Sequence, residues 1–119
     1  MTDALSRSLI ASNSVEYIKA VTQTALTTNN EQLCIEVLTL LNGVSWPTAS
    51  VILHFCHKDQ YPILDFRALW SLGVDTSQVT YNFDLWHEYT QICRRLAKST
   101  GLSMRELDRA LWQYSKENQ

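Results

Sequence analysis

The chain has 119 residues, three Gly, two Pro, and a formal charge of −2 from ten Lys and Arg against twelve Asp and Glu. That composition suits one folded domain, able to bury about two thirds of the surface its unfolded form exposes. It excludes disordered and fibrous classes, and also strong indiscriminate nucleic-acid binding, which needs an excess of Lys and Arg to neutralise phosphates. No apolar run reaches the ~18 residues of a membrane span, and no basic segment precedes an apolar one at the N-terminus, so a cytoplasmic protein without membrane contact is expected.

Leu5 and Leu9, four apart, predict a short docking helix over residues 4–11. Asn13 stands at capping-box spacing before Glu16, and Val15, Ile18, Val21, Thr22 and Ala25 repeat at helical period, which predicts a helix over 14–27. Thr28 before Glu31 repeats the signal, and Leu33, Val37, Leu40 and Leu41 place the next helix over 30–42. Gly43 can end it at positive φ, Ser45 can cap its successor, and Pro47 fits the first turn. That successor, over 46–57, carries Ala49, Ile52, Leu53 and Cys56 on one stripe, widened by Val51 and Phe55, so a central place is expected for it.

Lys58 to Pro62 reads as a loop, Asp65 as the cap of a short helix over 66–72 ended by Gly73, and 74–81 as the longest loop. Leu85, Tyr89, Ile92 and Leu96, backed by Trp86 and Cys93, predict a helix over 83–100 closed by Gly101. Ser103 and Glu106 form a second capping box, ahead of a stripe of Met104, Leu107, Leu111 and Tyr114. There is no internal repeat, low-complexity linker or alternating run. The expected fold class is all-α, a compact bundle of six or seven helices in one domain over 1–119, built around a helix-hairpin-helix.

The turn Leu41-Asn42-Gly43-Val44-Ser45 is the heart of that hairpin. Backbone N–H groups at the start of the second helix point outward with the positive end of its dipole, which suits one phosphate of a nucleic-acid backbone. Turns of this form also join ordinary packed helices. Gly43-Val44-Ser45, Thr48-Ala49 and Pro62-Ile63-Leu64-Asp65 together resemble the hairpin, loop and aspartate of the endonuclease III-like DNA glycosylases, with Asp65 placed after Pro47 as that family places its Asp after a Lys position. The resemblance covers about a fifth of the chain; the tail from Arg105 to Ser115 also looks like that of small bacterial proteins sharing the hairpin.

The resemblance implies a DNA partner held by its phosphate backbone through Gly43, Val44, Ser45 and Thr48. It also implies a catalytic role for Asp65, stabilising the sugar cation as a glycosidic bond breaks. Pro47 stands where bifunctional members carry a Lys nucleophile, and it has no amine to form a Schiff base, so the implied reaction is monofunctional and uses water. Ser45 replaces a second Gly: either its Cβ obstructs the phosphate or its hydroxyl donates to it. The residues alone give Asp65 a plainer role, an N-cap contributing about 1 kcal/mol.

Trp46, Tyr61 and Trp70 are the candidate walls of a shallow pocket for a flipped base, with burial in the core as the alternative. Arg94, Arg95 and Lys98 lie close on one helix, either gripping phosphates or forming a solvated face. Arg105 and Arg109 can pair with Asp108, and Asp108 and Trp112, one turn apart, read as a lock for the last helix. His54, Cys56 and His57 lack a further ligand at metal spacing. Cys34, Cys56 and Cys93 are scattered reduced thiols, with no counterpart to the four-cysteine iron–sulfur cluster of some glycosylases, so no metal or cofactor is expected. Two functions follow: DNA binding through the hairpin, with monofunctional base excision attached to it, or a non-catalytic protein–protein interaction domain on a degenerate glycosylase-like fold.

Overall fold

The computed structural model describes residues 8–119, and every regular element among them is helical. They divide into two units, one up to Lys58 and one from Asp59. The single domain read from the sequence does not anticipate this division, because the break falls in a short loop with no Gly, Ser or Pro cluster to mark it.

In the first unit, residues 8–11 are helical, the described part of the expected docking helix; Leu5 lies outside the described residues. Helix α1 (Val15–Thr27) starts at Ser14, whose hydroxyl accepts from Tyr17 N. Asn13, the expected cap, is instead turned to Asn42: its Oδ1 accepts from Asn42 N at 2.9 Å and its Nδ2 donates to Asn42 O at 3.1 Å. Helix α2 (Glu31–Glu36) is capped by Asn30, and Thr28 supports that cap by accepting from Asn30 N.

Where one α-helix is expected over 30–42, the chain tightens at Val37 into a 3-10 helix, Val37–Leu40. The Thr39 hydroxyl donates to Glu36 O at 2.6 Å, in competition with the backbone ladder. The buried residues Cys34, Ile35, Val37, Leu38 and Leu41 fit a three-residue turn as well as a 3.6-residue one. Leu33 and Leu40, expected on the buried stripe, are 44% and 60% exposed, and Cys34, Ile35 and Leu38 are buried in their place. Helix α3 (Trp46–Cys56) buries Ala49, Ser50 and Leu53, with the Ser50 hydroxyl satisfied by Pro47 O at 2.7 Å. Val51, Phe55 and Cys56 are exposed, so this helix is one-sided rather than apolar all round.

The second unit begins with the expected loop. Helix α4 (Phe66–Ser71) follows Asp65, ends before Gly73 at φ 88°, and leads to a 3-10 turn, Thr76–Gln78, inside the predicted 74–81 loop. Helix α5 (Phe83–Thr100) matches its predicted span and buries Trp86, Tyr89, Thr90, Cys93 and Ala97 at three- and four-residue intervals. Residues 60–64 are clipped onto it. Tyr89 Oη donates to Ile63 O at 2.7 Å, Arg94 Nε donates to Gln60 O at 2.9 Å, and Tyr61 stacks on Trp86 at 5.4 Å between ring centres. Helix α6 (Met104–Asn118) opens with both bonds of the Ser103/Glu106 capping box and packs on α4 and α5, tied to α4 where the Ser71 hydroxyl donates to Leu111 O.

Candidate nucleic-acid interface

The turn between Leu41 and Ser45, expected as the centre of a helix-hairpin-helix, is shaped by two features. Gly43 takes φ +83°, a left-handed conformation, and a Cβ there would stand 2.9 Å from Ile10 Cγ1 and 3.1 Å from Ile10 N. Val44 N closes the turn on Leu41 O at 3.2 Å. Gly43 and Val44 therefore set the course of the chain, and the 9–10 segment covers the Gly43 side.

The open part lies one step further on. Five α-helices, α1, α2, α4, α5 and α6, have an N-cap side chain accepting from the third helical amide, but Ser45 makes no such bond at the start of α3. Pro47 brings no N–H, so the first turn presents the amides of Trp46 and Thr48, which have no acceptor within the helix. The exposed Ser45 hydroxyl stands 3.3 Å from Thr48 Oγ1, so two predicted contacts meet at this mouth. Two amides and two hydroxyls at the positive end of an 11-residue helix can receive one oxyanion.

Asp65 is half-buried and caps α4, its Oδ1 accepting from Ala68 N at 2.8 Å. Two tyrosines lie within its field: Tyr81, which the sequence did not single out, and Tyr89, read there only as part of a helical stripe. Burial raises the Tyr81 hydroxyl above its ordinary pKa and the Asp65 charge adds to the rise; burial likewise raises Tyr89, with contributions from Cys93, Asp65 and Asp108. Tyr61, proposed as a pocket wall, is a core residue stacked on Trp86, and Trp70 is half-buried against Tyr114 at 6.0 Å. Trp46 belongs to the first unit, where it is half-buried as the first residue of α3.

Of the predicted basic cluster, Arg94 holds Gln60 O and lies 4.7 Å from the Tyr61 ring centre, which fixes it to its own unit. Arg95 and Lys98 are exposed. Arg105 pairs with Asp108 at 3.1 Å, as the spacing suggests. A group that sequence reasoning did not assemble is Arg67, Trp112 and Lys116: the cationic ends of Arg67 and Lys116 lie 5.1 and 5.4 Å from the indole centre. Arg67 and Trp112 sit on different helices far apart in the chain, so periodicity carries no sign of their meeting. His54 packs edge-on against Phe55, and among the described residues no three His, Cys, Asp or Glu side chains converge as a metal site would need. No helix among them is long and apolar enough to cross a membrane. No family model, curated protein or solved structure matches the chain.

Proposed function

We propose that this protein binds DNA, taking one backbone phosphate at the mouth of α3 through the amides of Trp46 and Thr48 and the hydroxyls of Ser45 and Thr48. The observation supporting this reading is the start of α3 without a side-chain cap directly after the Gly43 turn, where α1, α2, α4, α5 and α6 each fill that position. The contact is sequence-independent, because it reads phosphate rather than base edges. Asp65 is the residue base excision would use, acting on water, and the core position of Tyr61, one of the three candidate pocket walls, favours binding over excision as the primary activity.

Ser45→Asp separates the site from the fold. A carboxylate at this position fills the cap, which raises stability or leaves it unchanged, and it repels a phosphate from the same amides. The expected result is a protein at least as stable as wild type with lost affinity for duplex DNA. Undiminished binding by Ser45→Asp sinks the hairpin reading.

The second reading, a non-catalytic domain docking a partner protein, draws on the exposed apolar side chains of the first unit, among them Leu40 and Phe55. Phe55→Ser then reduces association with that protein and leaves DNA out of the account.

A further inference from the structure

Trp112 is 39% exposed and Phe66 52%, both in the second unit, and each has a cation at its ring. Arg67 serves both, 5.7 Å from the Phe66 centre and 5.1 Å from that of Trp112, while Lys116 lies 5.4 Å from Trp112. Arg109, exposed on the same helix as Trp112, adds a third positive charge. Of the nearby acids Asp108 is paired with Arg105, while Glu106, in the capping box and within the field of Arg109, and Glu117, bonded by Gln113 Nε2 at 2.9 Å, keep their charges, so four cations (Arg67, Arg105, Arg109 and Lys116) stand against three acids. Beside Trp112 lies an open depression of about 600 Å³, lined by Arg105, Asp108, Arg109, Trp112 and Gln113.

We propose that the indole of Trp112, flanked by Arg67 and Lys116, is a stacking platform for a base of single-stranded nucleic acid, whose neighbouring phosphates are taken by Arg67, Arg109 and Lys116. The chemistry selects this occupant. An exposed aromatic ring asks for a flat apolar face, and the surrounding cations ask for anions; a single strand supplies both at every nucleotide. A base stacked on the ring outweighs a solvated cation–π contact, so it can displace one cation from the indole and release that charge to a phosphate. The surface shares no residue with the hairpin and does not depend on the hairpin reading.

The test is fluorescence anisotropy of a labelled oligothymidylate titrated with the full chain at low salt. Trp112→Ala is expected to weaken binding by roughly tenfold to a hundredfold, while Trp112→Phe, which keeps a ring, stays within about threefold of wild type. Lys116→Gln, a surface change that leaves folding intact, lowers the salt slope by about 0.7, the value for one phosphate of a single strand. Loss of oligothymidylate affinity in Trp112→Ala that Trp112→Phe restores supports the platform whatever Ser45→Asp does to duplex binding, so the two readings fail separately. Equal affinity of Trp112→Ala and wild type overturns it, as does equal loss in Trp112→Phe and Trp112→Ala. Absence of wild-type binding together with a self-association that Trp112→Ala abolishes also overturns it, and assigns the patch to contact between copies of the chain.

Discussion

Asp65 joins a cap and a charge in one side chain, and substitution can part them. Asp65→Asn keeps an acceptor for Ala68 N, so its urea midpoint is expected near that of wild type, whereas Asp65→Ala loses about 1 kcal/mol. Any base release from damaged duplex that wild type shows is lost in Asp65→Asn, and borohydride traps no covalent adduct, since Pro47 has no amine. A second residue-scale prediction concerns Cys93. Burial pushes its thiol up to about 11 from 9.0, and burial raises the neighbouring Tyr89 as well. Both groups fold preferentially with the proton on. The Cys93 contribution is therefore complete below the ordinary thiol value and is lost as pH rises from about 9 through about 11, while that of Tyr89 begins to be lost only above its ordinary value of 10.0. Denaturation midpoints across that range should fall in wild type and fall less steeply in Cys93→Ala. The capping roles of Asp65 and Ser103 were legible because a cap is a local, four-residue device. Asn13 was not, because its partner Asn42 lies 29 positions away and no local pattern records it.

Helix spans were legible wherever a cap, a stripe and a terminal Gly agreed, as in α5 between Asn82 and Gly101. The stretch 30–42 misled because its apolar residues are dense enough to satisfy either a 3.6- or a 3-residue period. Leu38→Ala is expected to cost about 2–5 kcal/mol, while Leu40→Ala on the exposed side stays within about 0.5 kcal/mol; equal costs would contradict this burial pattern. Two glycines at left-handed φ make a similar contrast. Gly101→Ala meets open space and costs about 1–2 kcal/mol from backbone conformation alone. Gly43→Ala adds a clash with Ile10 and should cost more, measured by urea unfolding of both variants. Gly43 is thus tied to the packing of residues 9–10, and its replacement is a poor probe of the proposed DNA contact compared with Ser45→Asp.

At the scale of the chain, two features of the units govern what binding can look like. The unit that carries the Gly43 turn has Arg7, Lys19 and Lys58 as its Lys and Arg residues, while the basic residues from Arg94 onward belong to the other unit. Arg94 is further committed to Gln60 and Tyr61, a contact the sequence could not disclose because the loop meets the helix only in the folded unit. The division itself was equally silent in the sequence, since Lys58-Asp59-Gln60 reads as any short polar connection. Affinity through amides and hydroxyls with few cations nearby is modest, and a single phosphate contact limits its salt slope to about 0.9, a loss of a few-fold between about 50 and about 200 mM. The most direct measurement is an anisotropy titration of a labelled DNA duplex with wild-type protein, at about 50 mM and at about 200 mM salt. The account predicts saturable association at the lower salt that weakens several-fold at the higher; no association with the duplex at the lower salt would contradict it.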